Sequence, residues 1–344
     1  MTRTLSLLSF AAWAACAVSP APLLAQPAST LRQAQGSEPA LSSSKGQAYP
    51  YKPIRLMVGF QAGGGVDMSA RTVGQPLSAA LGQSVVVDNR PGAAGNIAAG
   101  YVAKATPDGY TLLMSNSTIA SPTLFTSLPF DVRRDLDPVG LIAIGPSVLI
   151  VHPSVPARNV KELIALARAQ PKQLAYGSGG IGNVTHLEME IMNAMVGVHM
   201  THVPYMGSAP SIVALVSGEV QAVFSSIPSA LGQIRAGRIR ALGVSVLKRS
   251  SVLPDVPTID ESGVPGFDAA SWYAVFAPAG TPKPIVAVLG KEVVRIMNVP
   301  DVRERFANDG FEPAGNGPAE FAQFLGAELV KWAKAVEMAG VKPE

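Results

Sequence analysis

The chain has 344 residues, 48% of them hydrophobic and 15% charged, with a formal net charge of +3 and a single cysteine, Cys16. That length calls for about two domains with sizeable cores, and the apolar fraction excludes a disordered chain. The charge is too small and too evenly spread for a nucleic-acid surface, and one cysteine excludes a disulfide framework or a cysteine-based metal site.

Residues 1–25 read as a secretory signal peptide: Arg3 supplies the positive start, residues 5–18 an apolar stretch and Leu23-Leu24-Ala25 the cleavage site. Pro20 and Pro22 interrupt the apolar run before the about 20 residues needed to cross a bilayer. The mature protein is therefore expected in the periplasm, starting near Gln26 with a flexible leader over 26–48 rich in Ser, Ala, Gln and Gly.

A strand over 54–60 leads through a glycine turn into a helix over 66–81, and a strand (85–87), a helix (96–104) and a strand (110–114) follow. The apolar run 138–152, broken by Gly145 and Pro146, is too long for one strand and is expected to pass from one domain to the next. Alternation then restarts with a helix over 159–169, for which Asn159 is the N-cap and Glu162 the N3 residue of a capping box. Strands over 174–176, 199–205, 220–225 and 239–246 alternate with helices over 185–195, 209–217 and 229–236. After a Pro- and Gly-rich loop (253–267), a strand over 272–277 carries the chain back, and helices over 285–297, 302–308 and 319–339 close it. The apolar stripe of the last helix, Phe321, Phe324, Leu325, Leu329, Trp332 and Val336, is core packing. Such alternation predicts an α/β chain with two mainly parallel sheets: lobe 1 from 49–142 and 271–344, lobe 2 from 143–270, and a ligand cleft between them.

Two glycine turns stand out. In Gly177-Ser178-Gly179-Gly180-Ile181-Gly182, between a strand and a helix, four of six positions are glycine, and Gly63-Gly64-Gly65 precedes the first helix in the same way. Bare backbone at a helix start points unpaired N–H groups and the positive end of the helix dipole at one spot, which suits a carboxylate or phosphate. The two turns are expected to hold one small acid between them, and Gly180→Asp to abolish binding without unfolding the protein. Asp67, two residues past the first turn, reads as a helix cap, because a carboxylate facing the ligand would repel it. His186 is the histidine placed to touch the site, and Trp272 and Tyr273 are placed to wall it.

Other chemistries fit less well. The second turn also satisfies G-x-G-x-x-G, but that fingerprint needs an acidic residue about 20 positions on, and no Asp or Glu lies between Glu190 and Glu219. G-x-S-x-G fails because Tyr176 occupies the place of its first glycine, and no Walker lysine follows either turn. His199 and His202, three apart on a predicted strand, point to opposite faces and do not make a metal site. No cofactor, metal or catalytic residue is expected, and no paired general acid and base supports an enzyme.

The chain resembles the extracytoplasmic solute-binding receptors of tripartite tricarboxylate transporters, the Bug-type receptors. The resemblance rests on Tyr49-Pro50-Tyr51-Lys52-Pro53-Ile54-Arg55, Gly63-Gly64-Gly65-Val66-Asp67, Val85-Val86-Val87-Asp88-Asn89-Arg90-Pro91-Gly92-Ala93-Ala94-Gly95 and Pro107-Asp108-Gly109-Tyr110-Thr111-Leu112-Leu113. It continues through the turn from Tyr176 to Leu187, His202-Val203-Pro204-Tyr205 and Pro254-Asp255-Val256-Pro257-Thr258. It implies a two-lobed Venus-flytrap fold of the periplasmic binding protein type II class, closing on a small organic acid held mainly by main-chain groups, hydroxyls and water. Carried over, Phe60, Gly63, Gly64, Gly65 and Asp67 belong to the first-lobe turn, and Ser178, Gly179, Gly180, Ile181 and Gly182 to the second. His186, Tyr205 and Ser208 line or buttress the second lobe, and Ser115, Asn116 and Trp272 complete the candidate set. Ala62, Met206 and Ala274 stand where the family often has proline, arginine and glycine. The implied function is carboxylate capture and delivery to the permease subunits of a tripartite transporter, by a monomer that is not an enzyme. An exported enzyme acting on a small acid and a receptor feeding a signalling partner are the alternatives.

Overall fold

The structure, a computed structural model, describes residues 48–125 and 127–341. The signal peptide and all but the last residue of the leader lie outside the described residues. The chain runs β1 (Ile54–Val58), α1 (Gly65–Leu81), β2 (Val85–Asn89), α2 (Asn96–Ala103), β3 (Thr111–Asn116), α3 (Val132–Asp135) and β4 (Leu136–Val151). It continues through α4 (Val160–Ala169), β5 (Ala175–Ser178), α5 (Val184–Val196), β6 (Thr201–Pro204), α6 (Ser208–Val216), β7 (Ala222–Ser226), α7 (Ile227–Arg235) and β8 (Arg240–Val244). The last elements are β9 (Ala270–Pro278), α8 (Lys283–Met297), α9 (Pro300–Asn308), β10 (Glu312–Asn316) and α10 (Pro318–Ala339).

Parallel pairing holds for the outer strands of each lobe, β2-β1-β3 in one and β6-β5-β7 in the other. The sheets are nonetheless mixed, because the two connecting strands, β4 and β9, pair antiparallel with each other and with β7 and β3. The run that looked too long for one strand is the single 16-residue strand β4. Register shifts between Pro138 and Gly140 and between Leu141 and Ala143 let it stay paired over that length. It pairs with β9 as far as Pro146, with β7 from Ser147 and with β8 from Val148 on, so one strand is shared by both sheets. β10 escaped the sequence reading because Pro313 and Gly315 argue against a strand. It is tolerated as a short irregular strand on β4.

Local chemistry explains the best-defined ends. Asn159 Oδ1 accepts the Glu162 N–H at 2.9 Å, the first half of a capping box; the Glu162 carboxylate reaches back one residue beyond the cap, to the Arg158 N–H, and accepts from Asn159 Nδ2. The α10 stripe is core: Phe321, Leu325, Leu329, Trp332 and Val336 pack with Trp272 and Phe276 of β9. Val184 and Leu187 of α5 enter the same cluster, so α10 is buried against both lobes.

Candidate functional site

Four helices begin around one cavity at the strand ends. Its lining takes Gly64, Gly65 and Val66 from the start of α1, and Asn183, Val184 and Thr185 from that of α5. Gly207 and Ser208 come from the start of α6 and Ser226 from that of α7. Asn116 at the end of β3, Ser147 on β4, and Ser271 and Tyr273 on β9 complete the polar wall, with Phe60 at one side. No Asp, Glu, Lys, Arg or His lines it. An anion there would be held by dipoles and hydrogen bonds rather than by an opposite charge.

The helix starts differ in what they can still donate. Gly64 and Gly207 are the N-caps of α1 and α6, and neither helix has a side-chain cap. Among the described residues, the N–H groups of Gly64, Gly65 and Val66, and of Gly207, Ser208 and Ala209, have no protein acceptor. The turn that dominates the sequence behaves in the opposite way. Gly179 N–H donates to Thr185 Oγ1 (2.8 Å), Gly180 N–H to Ser178 Oγ (3.1 Å) and Gly182 N–H to His186 Nδ1 (3.1 Å). The first amides of α5 are also occupied, Thr185 N–H by Asn183 Oδ1 and Val184 N–H by Thr118 Oγ1. The free helix-start amides of the second lobe therefore sit one βα turn later, at Gly207 and Ser208. Gly180 has φ +123°, which any L side chain strains, so Gly180→Asp would disturb the turn itself as well as the cleft.

Asp67 does not cap the first amides of α1: it ties down the turn before the helix and is absent from the cavity lining. It is the N3 residue of α1 and accepts the Gly63 N–H (3.0 Å), the Arg71 guanidinium and the Asn89 amide. Burial alone would raise its pKa; the hydrogen bonds from Arg71, Gly63 and Asn89 outweigh that and hold it below the usual value. Gly63 contributes its carbonyl, which accepts from Ser229 Oγ at 3.2 Å across the cleft. Gln61 N–H to the Met206 carbonyl (3.2 Å) and Thr118 with Asn183 (3.3 Å) tie the lobes together in the same way.

Phe60, Gly64, Gly65, Asn116 and Ser208 are thus brought together at the polar cavity, and Gly179, Gly180, Ile181 and Tyr205 line a neighbouring one. Ser178 and His186 are buried supports. Ser178 Oγ meets His202 Nε2 at 2.6 Å, and the rings of His186 and His202 stack at 4.0 Å. Burial, together with the His202 neighbour, pushes His186 down to about 3, and burial pushes His202 down to about 4, so both are neutral at physiological pH. Ser115 is buried beside Asn116 and is not part of either lining, and Gly182 packs against Phe125. Trp272 does not wall the cavity: its indole is buried in the α10 core and donates to Glu328 Oε2 at 2.8 Å. Its neighbour on the strand, Tyr273, takes that place.

Sequence reasoning missed Ser147, Asn183, Thr185, Gly207, Ser226 and Ser271. Gly207-Ser208 after a strand carried a readable signal, since it repeats the strand–glycine–helix order of the first turn. The serines at strand ends carried none. Beneath the cavity Glu188 is fully buried near Ser147, Ser245 and Tyr273, neither of its carboxyl oxygens has a hydrogen-bond partner among the described residues, and burial pushes the carboxyl up to about 8. It is mainly protonated at pH 7 and so puts little negative charge under the cavity.

The model of the tripartite tricarboxylate transporter family receptor matches residues 69–341. The chain belongs to this family. Its structure is similar to that of Rpa4515 from R. palustris with adipate, at a TM-score of 0.84 and 38% identity over 86% of this chain and 100% of that one. It is similar to the periplasmic binding protein BugD (TM-score 0.83, 32% identity, 86% and 100% covered). It also resembles MatC from Rhodopseudomonas palustris with bound malate (TM-score 0.80, 33% identity, 84% and 100% covered). The two-lobed α/β periplasmic binding protein fold of this receptor family is therefore the fold of this chain. Among the described residues there is no cluster of three or more metal-ligating side chains, and no helix is long and apolar enough to cross a membrane.

Proposed function

We propose that this receptor family member works in the periplasm, binds a small organic carboxylate by closing its lobes, and hands it to the membrane subunits of a tripartite tricarboxylate-type transporter. The observation that carries the reading is the pairing of two uncapped helix starts, α1 from one lobe and α6 from the other, across a cavity free of charged side chains. A carboxylate satisfies both sets of amides only when the lobes meet, so binding shifts the open–closed balance toward the closed form. Each charge-assisted hydrogen bond contributes about 1.5–3 kcal/mol, and a handful suffices for micromolar affinity. The adipate and malate bound by the two relatives are acids of the size this reading requires.

Calorimetric titration of the chain from Gln26 with a panel of small carboxylates tests it. Micromolar binding of at least one acid, recovered unchanged, is the expected result; conversion of the acid would favour an enzyme, and no binding would refute the carboxylate reading. Affinity should hold below pH 8 and fall above it, because Glu188 then ionises beneath the anion, and Glu188→Gln should remove that fall. Capture of the transporter's membrane subunits by the acid-loaded protein tests delivery.

A further inference from the structure

The turns that precede α1 and α6 approach each other closely across the cleft. A Cβ on Gly63 would stand 3.7 Å from Ala209 Cβ, and one on Gly207 would stand 3.6 Å from the Gln61 backbone nitrogen. Two hydrogen bonds cross at this contact, from Ser229 Oγ to the Gly63 carbonyl and from the Gln61 N–H to the Met206 carbonyl, each at 3.2 Å. Gly63 C=O and Gly64 N–H belong to one planar peptide unit, and Met206 C=O and Gly207 N–H to another. Each of these bonds therefore takes the carbonyl end of the peptide whose amide end leads a free helix start. The link at Thr118 differs: it goes to the start of α5 and takes up the Val184 N–H.

A hydroxyl has one hydrogen to give. Ser229 gives its own to Gly63, so in the 2.8 Å contact between Ser226 Oγ and Ser229 Oγ the donor is Ser226. A chain of hydrogen bonds thus runs from Ser226 on the cavity wall through Ser229 to the peptide that carries the Gly64 amide. Hydrogen bonds in series polarise and strengthen one another.

Building on the carboxylate reading, we infer that Ser229 is a positioning residue for the ligand: it latches α7 to the start of α1 when the lobes meet and, by drawing on the Gly63 carbonyl, makes the Gly64 N–H a stronger donor to the bound carboxylate. The Gln61 amide does the same for Gly207 from the other lobe. Both bonds need the lobes together, so the leading amides reach full strength only after closure. The latch therefore acts on release of the acid rather than on its capture.

The test is stopped-flow binding to the full mature chain and its Ser229→Ala and Ser229→Thr variants, with the tightest-binding acid of a small-carboxylate panel, adipate tried first. Dissociation from Ser229→Ala should be about two- to tenfold faster, equivalent to the about 0.5–1.5 kcal/mol of one hydrogen bond, with association unchanged. Ser229→Thr keeps the hydroxyl and should restore the slow release. At saturating acid the downfield movement of the Gly64 amide proton should be smaller in Ser229→Ala than in the parent, while that of Ser208 stays the same; a general loosening of the fold would not single out Gly64. A parental dissociation rate in Ser229→Ala, or an undiminished Gly64 shift, would overturn this inference while leaving the carboxylate reading in place. Failure of the parent to bind any acid of the panel would overturn both.

Discussion

Replacing Gly65 with alanine is expected to weaken carboxylate binding on the order of 100-fold while the far-UV circular dichroism stays that of the parent. A methyl group at Gly65 would stand 2.7 Å from the Tyr273 hydroxyl and 3.1 Å from Ser226 Oγ. Tyr273 is fully buried on β9 and cannot swing aside, and Ser226 begins α7 on the facing lobe. Overpacking of this kind costs about 1–3 kcal/mol where the surroundings yield. The Ser226 contact yields if the starts of α1 and α7 move apart, which works against closure, whereas the Tyr273 contact lies within the α1 lobe and displaces the free amides at the start of α1. The backbone of Gly65 is not in the left-handed region, and alanine suits the first turn of a helix, so the helix itself loses nothing. Affinity within twofold of the parent, measured by calorimetry, would show that the start of α1 does not close on the ligand.

The second large effect concerns stability. Glu328→Ala is expected to cost about 2–6 kcal/mol, read from urea denaturation, because two buried donors lose their acceptor at about 1–3 kcal/mol each. Glu328 Oε2 accepts from the indoles of Trp272 and Trp332, both at 2.8 Å, and both indoles are almost fully buried. Glu328→Gln keeps a carbonyl oxygen in that place and should cost less than half as much. Equal losses for the two variants would mean that packing rather than hydrogen bonding holds this core. The same junction receives Val184 and Leu187 from α5, so its loss should loosen both lobes.

The fold was readable because most of its elements announce themselves locally. The period of 3.6 in α10 and the Asn159 and Glu162 pair at the start of α4 need no knowledge of distant residues. The parity of β9 was not readable. Both faces of that strand are buried, so nothing in the apolar run tells which of Trp272 and Tyr273 looks into the cleft and which into the α10 core. The long strand β4 was missed because Gly145 and Pro146 look like a break, whereas Pro146 sits where the strand passes from one sheet to the other.

The site illustrates a sharper limit. Glycine density marks where backbone amides are bare of side chains, not whether they are free. Thr185, Ser178 and His186 fold back onto the amides of the Gly177–Gly182 turn, while the sparser turn at Gly207 keeps its own open. That difference depends on which way three side chains point, and no spacing rule contains it.

The most direct test is to follow the backbone amide resonances of the ¹⁵N-labelled mature protein as adipate or hexanoate is added. Hydrogen bonding to a carboxylate moves amide protons downfield, and the largest such shifts should fall on Gly64, Gly65, Val66, Gly207, Ser208 and Ala209, one set from each lobe. The largest shifts on Gly179, Gly180 and Gly182, with none at the starts of α1 and α6, would contradict this account of how the protein holds its ligand.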